Sequence, residues 1–342
     1  MTAATVLRHL SAEEVTAAVP AAEAVTLLQD ALRDGLDPAQ DADRTVVHWR
    51  SGQLLMMPAE HRARAGVKLA LVADQAAGSD LPRIQGVYVL LDADTFVPLV
   101  TMDGPALTSL RTPAVTVAAI EPLLRAGSSP LRVVVVGRGV QARGHARTLV
   151  AALQGVRPVA SVTFLGRAGG GGGLGELAGV LPGSAGARLA LAFLGTAEAD
   201  AVLREADVVV CATSAEAPLF DSSLLRPDVV VAAVGSHEPG KREVDGTLMA
   251  RSHVVVEDRS TALREAGDVI QAVAEGLLEE DRLVTMADLV GGRVVLARDR
   301  PVVFKGTGMS WQDLVIADVV HRRSSRPHPG PADASADPGG RG

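Results

Sequence analysis

Apolar positions recur along the chain with two different periods. After Ser11 the spacing of Val15, Ala18 and Val19 predicts a helix, and Ser11 with Glu14 forms an S-x-x-E capping box at its start. A second helical run after Pro20 places Val25, Leu28 and Leu32 on one face, and Gly35 ends it. From residue 45 the period shortens to two. TVVHWR (45–50), GQLLMMPA (52–59) and GVKLALVA (66–73) predict strands, and residues 84–103 predict a hairpin turning at Asp92–Thr95. Residues 108–124 predict a helix with Pro113 near its first turn, followed by the short linker RAGSSP (125–130).

The texture then changes. LRVVVV (131–136) is apolar apart from Arg132, as expected of a strand buried on both faces. SVTFLG, DVVVCAT, DVVVAAVG and HVVVED repeat that character, separated by helical or loop segments. This alternation predicts an α/β fold whose second part is a Rossmann-type doubly wound sheet. VVFKGTGMSWQDLVIADVV (302–320) reads as a strand end, a glycine turn and a helix. The glycine-rich insert 168–179 predicts a flexible surface loop, and residues 323–342 a disordered tail.

Composition narrows the function classes. With 40 acidic against 33 basic residues, the net charge of −7 offers no cationic excess for a nucleic-acid backbone. Two tryptophans, one tyrosine and five phenylalanines give little material for base stacking. The single cysteine, Cys211, excludes an internal disulfide and a cysteine-rich metal site and fits a reducing compartment. No signal-peptide pattern or apolar stretch of membrane length occurs, so a cytoplasmic protein without membrane or metal is expected.

Chemistry enters at residue 137. Gly137, Gly139 and Ala142 form G-x-G-x-x-A between a strand and a helix. The first glycine permits the tight turn, the second lets a pyrophosphate approach the backbone, and the alanine lets the helix pack on the strand. Val140 and Gln141 complete this turn, and the helix start offers free N–H groups to phosphate. The next strand ends in Gly166-Arg167, where an NAD site usually carries an acidic residue. The missing carboxylate and the available guanidinium favour NADP(H), with NAD(H) as the alternative. Thr213 and Ser214 follow an apolar strand and are expected at the nucleotide cleft.

Lys68 is flanked by apolar residues in mid-strand. Burying an unpaired ammonium costs several kcal/mol (about 3–5) and lowers its pKa toward neutrality, which suits an acid or base. A snorkelling edge-strand lysine is the structural alternative.

The segments LLMMPA, GVKLA, LPRIQGVYVLLDADTFVPL, LTSLRTPA, VVVVGRGVQA, ADVVVCATS, VVVAAVGSHEPGKREVD and FKGTGMSWQDLVIA cover most of residues 5–322. Together they resemble the ornithine cyclodeaminase/mu-crystallin family. The resemblance implies an α+β substrate-binding and dimerisation domain in residues 1–124, completed by 303–322, and a dinucleotide domain in 125–302. It implies a catalytic role for Lys68, carboxylate binding by Arg44 and Arg111, a substrate contact from Met56, and a cofactor contact from Thr112. It also places His237 where the cyclodeaminases carry an aspartate base. Histidine is a poorer holder of a substrate ammonium than a fixed anion, which weighs against ornithine cyclisation. Asp313 matches a family position too, with helix capping or a hinge as readily its role as chemistry.

Three readings stand at this level. The first is an NAD(P)H-dependent reductase or dehydrogenase for a small α-imino or α-amino acid, foremost a cyclic ketimine such as pyrroline-2-carboxylate or piperideine-2-carboxylate. The second is an ornithine cyclodeaminase with a recycled cofactor. The third is an NADPH-binding protein without turnover. A homodimer is expected in each.

Overall fold

The computed structural model describes residues 6–73, 82–167, 173–181, 183 and 186–325. Among them the chain builds two sheets. The first comprises β1 (His9–Leu10), β2 (Thr45–Trp49), β3 (Gly52–His61), β4 (Arg64–Ala73), β5 (Ile84–Asp92) and β6 (Pro98–Asp103). Its order is β1-β6-β5-β4-β3-β2, antiparallel except for the β1–β6 pair. The second comprises β7 (Leu131–Val136), β8 (Val159–Gly166), β9 (Arg188–Phe193), β10 (Val208–Cys211), β11 (Val230–Ala233), β12 (His253–Val256), β13 (Leu283–Thr285) and β14 (Val302–Lys305). It is parallel throughout, in the order β13-β12-β14-β11-β10-β7-β8-β9. The fold is α/β, a Rossmann-type sheet joined to a smaller α+β unit.

Ten α-helices occur among the described residues: α1 (Ala12–Ala18), α2 (Ala21–Arg33), α3 (Gly104–Leu124), α4 (Val140–Leu153), α5 (Ala197–Glu205), α6 (Gly246–Arg251), α7 (Arg259–Glu265), α8 (Gly267–Ala274), α9 (Met286–Val290) and α10 (Ser310–Ser324). The capping box closes as the sequence predicts, with Glu14 N–H donating to Ser11 Oγ and Ser11 N–H to Glu14. The hairpin turn also forms, its Asp92 carboxylate accepting from Thr95 N–H at 3.0 Å.

Several expectations need correction. α3 starts four residues early, because Asp103 caps it by accepting from Ala106 N–H at 2.7 Å. Pro105 therefore fills the first turn, and Pro113 lies in the helix interior. Its ring packs on α4 at Gly144, where an added Cβ would come within 2.9 Å of Pro113 Cγ. β14 straddles the expected division at residue 303. It pairs with β11 and β12 inside the parallel sheet, and only α10 returns to pack on β3 and β4. All four β14 side chains are buried, as a central parallel strand demands.

The tail expectation starts too early, because α10 runs through Arg323 and Ser324, and Arg323 pairs with Glu23. The remainder, 326–342, lies outside the described residues. Of the glycine-rich insert, 168–172 also lies outside them, whereas Leu174–Leu177 forms a short 3-10 turn with Leu177 buried. The sequence reading passed over β1, β9 and β13, which are edge strands or only two or three residues long.

β14 ends in Lys305, whose fully buried Nζ lies 2.9 Å from the equally buried Asp268 Oδ2 at the start of α8. Lys305→Met would strand that carboxylate in the core. It is expected to lower unfolding stability by about 3–5 kcal/mol in urea denaturation. Breaking the exposed Arg33–Asp30 pair with Arg33→Ala is expected to leave it nearly unchanged.

Candidate active site

The glycine turn joins β7 to α4 as its residue types demand. Gly137 has φ +113°, and a Cβ there would meet Ala212 O at 2.6 Å. Gly139 caps α4 without a side-chain partner, and a Cβ on it would meet nothing within 4 Å. The space beside Gly139 at the start of α4 is thus open, as the close approach of a pyrophosphate requires. Ala142 is fully buried and seats the helix on the sheet rather than facing the cavity.

A cavity of about 500 Å³ opens at the carboxyl ends of β7, β8, β10 and β11. There the strand order reverses, with β8 on one side of β7 and β10 on the other. Thr112, Gly137, Gly139, Val140, Gln141, Arg167, Thr213 and Ser214 all line it. Glu243 braces two of its loops, accepting from Thr213 N–H and Oγ1–H with one oxygen and from Gly235 N–H with the other. Gly235 has to be glycine, since a Cβ would lie 1.9 Å from Thr213 O.

A second cavity of about 310 Å³ adjoins the first, with Thr112, Gln141, Ser214, Val234 and Gly235 lining both. Lys68 reaches it from β4, and its buried Nζ donates to Asp313 Oδ2 at 2.7 Å. The same carboxylate holds Arg111, with Nε 3.3 Å from Oδ1. Arg111 donates onward to Gln312 Oε1 at 2.7 Å, and Gln312 donates to Glu257 at 2.7 Å. Glu257 in turn accepts from Thr307 and Gly308 N–H, both at 2.8 Å. Burial, reinforced by the Arg111 charge and opposed by Asp313, pushes the Lys68 ammonium down to about 8.

Arg44 also lines this cavity, but it is already engaged: Nη2 donates to Thr307 O and Gly308 O and pairs with Glu265 at 2.9 Å. His237 lines the cavity as expected, on the loop that Lys305 holds by donating to Ser236 O at 2.8 Å. Burial and the nearby Arg44 push its imidazole down to about 4, so it is neutral at pH 7. Glu238, next to it, is paired with Lys241 instead.

Met56 is misplaced by the sequence reading. Met57 pairs across the strands with Lys68 and lines the cavity, while Met56 pairs with Leu69 and faces the other side of the sheet. Gln312 and Glu257 were missed outright, and Asp313 was undervalued. A fully buried aspartate in the first turn of α10 has to have a cation partner, but that partner is 245 residues away in sequence.

The sequence profile of the ornithine cyclodeaminase/mu-crystallin family matches residues 6–171 and 184–327. The chain belongs to that family. A relative in Azospirillum brasilense, a Delta(1)-pyrroline-2-carboxylate/Delta(1)-piperideine-2-carboxylate reductase, is 30% identical over 273 residues, covering 80% of this chain and 81% of the relative. The crystal structure of a probable ornithine cyclodeaminase from Bordetella pertussis has a TM-score of 0.78 at 27% identity, covering 93% of this chain and 97% of that one. The Thermococcus litoralis Delta(1)-pyrroline-2-carboxylate reductase, in complex with NADH and L-proline, has the same TM-score at 20% identity, with the same coverage.

Lys68 gives a stability signature whose sign is fixed. Its pKa is lowered from 10.5 to about 8 in the folded chain, so between these values the unfolded chain holds a proton the folded one lacks. Stability therefore rises with pH through this window. Above about 10 the buried Tyr88, whose pKa is raised mainly by burial, acts in the opposite sense. Thermal melts of wild type and Lys68→Met between pH 8 and 10 are expected to show the rise in the first and its loss in the second.

Proposed function

We propose that this family member is an NAD(P)H-dependent reductase of a cyclic α-imino acid, with pyrroline-2-carboxylate and piperideine-2-carboxylate as its leading substrates. The observation that carries this reading is a buried lysine beside an arginine, in a small cavity that adjoins the one at the glycine turn and shares part of its wall. Leu55, Met57, Ala70, Val72 and Val115 give that cavity an apolar wall suited to ring methylenes. Arg111, with Arg44 behind it, supplies the guanidinium charge for the substrate carboxylate. Arg44 acts chiefly by fixing the Thr307–Gly308 turn, given the acceptors it already holds.

A nicotinamide dinucleotide, held by the Gly137–Gln141 turn with Thr213 and Ser214, would supply the hydride for the imine carbon. Lys68 supplies the proton at the imine nitrogen and is left as the neutral amine, a form that burial already brings close to physiological pH. Asp313 aims the Lys68 ammonium and holds Arg111 with its other oxygen. His237 is neutral, so it relays or accepts a proton at the cavity edge rather than anchoring a substrate ammonium. That property favours imine reduction over ornithine cyclisation. Gly166 and Arg167 at the end of β8 favour NADP(H).

We also propose a cytoplasmic homodimer. The side of the first sheet facing away from α3 and α10 carries Leu54, Met56, Leu69, Leu71 and Val87, with Trp49 55% exposed at its edge. A second copy covering this face would remove that apolar surface from water.

NADPH and NADH consumption with the two cyclic ketimines, followed by absorbance, tests the reading. Turnover is expected, with a rate that declines as pH rises through about 8 and Lys68 loses its proton. Lys68→Met is expected to lower kcat by at least about 100-fold. Ammonia release from L-ornithine without net cofactor change would assign the chain to cyclodeamination. Tight NADPH binding with no turnover would make it a binding protein.

A further inference from the structure

Arg138 sits between the two glycines of the phosphate turn and was given no role by its position in the motif. Its side chain does not point away from the cleft. It lies over Gly166 at the end of β8, close enough that a Cβ on that glycine would be 2.9 Å from Arg138 Nε and 3.4 Å from Cζ. Its backbone carbonyl accepts from Arg143 Nε at 2.9 Å, which anchors the residue from below. Arg138, Gly166 and Arg167 line the same cavity, and no aspartate or glutamate is among the described residues that line it.

We propose that Arg138 and Arg167 together form the site for the 2′-phosphate of the adenosine ribose, with Arg138 as a specificity-determining residue and Gly166 as the seat that makes room for it. The proposal rests on reading this cavity as a dinucleotide site. Three observations converge on it. The end of the second strand of a doubly wound sheet is where the ribose 2′ position falls. An acid there would select the 2′-hydroxyl, and here the strand ends in a glycine with a guanidinium resting on it. A planar fork matches phosphate oxygens in two-point contact, and two such groups at one strand end suit a dianion. Gly166 thus does more than lack a charge, since any side chain at that position would displace Arg138.

Calorimetric titration with NADPH, NADH and 2′,5′-ADP tests this without turnover. Wild type is expected to prefer NADPH. Arg138→Ala is expected to weaken NADPH and 2′,5′-ADP by about 10- to 100-fold more than NADH, the range for one charge-assisted phosphate contact. Arg138→Lys is expected to recover part of that difference, and Gly166→Ala to reproduce much of the Arg138→Ala loss. Loss of discrimination in Arg167→Ala with none in Arg138→Ala would overturn the role of Arg138 and leave the cofactor site intact. Equal binding of NADPH and NADH by wild type would overturn 2′-phosphate recognition altogether. Failure of the folded wild type to bind either dinucleotide would instead remove the reading of the cavity on which the proposal rests.

Discussion

The carboxylate of Asp313 is the point on which the cleft is built. It is fully buried, and its two oxygens face Lys68 on the first sheet and Arg111 on α3. Without it, two cations would be left in an apolar interior at a cost of several kcal/mol (about 3–5 for a broken buried pair). With it, the lysine is held at one place while burial keeps its proton easy to surrender. The neighbouring chain from Arg111 through Gln312 to Glu257 then ties the cavity to the Thr307–Gly308 turn. The helix carrying Asp313 follows directly on β14, so the parallel sheet and the lysine are linked through one short segment.

The nucleotide half of the cleft is organised differently. Apart from Arg138 and Arg167 at the end of β8, its charges stay outside the cavity wall and act on backbone. Glu243 holds the loops after β10 and β11 together, while Lys305, paired with Asp268, holds the carbonyl of Ser236. Around the glycine turn the result is a wall of backbone and small side chains, next to a pocket lined by Lys68, Arg111 and Arg44. The two cavities therefore differ in electrostatic character.

How much of this was legible in the sequence follows from the range of each interaction. The glycine turn, its strand and its helix were readable because each feature is set within a few residues. Lys68 was readable because an ammonium among valines and leucines signals a buried partner, even when the partner is unknown. Met56 was taken for Met57 because two adjacent methionines differ only in which face of the strand they occupy, and that is fixed by register with β4. Asp313 and Glu257 were underread because carboxylates on a helix or after a strand look solvated until a distant cation is placed beside them. Arg138 was passed over because motif positions between glycines normally carry no side-chain role. The expected boundary at residue 303 cut through β14, because apolar strands do not name their neighbours.

The separation of Lys68 from Asp313 also bears on how the chain is made. Synthesis runs from the N-terminus, so the strand with the ammonium emerges 245 residues before its counter-ion. Until then, closing the first sheet onto α3 would bury that cation without compensation. The packing around Lys68 is therefore complete only once α10, which carries its counter-ion, is available to dock on β4.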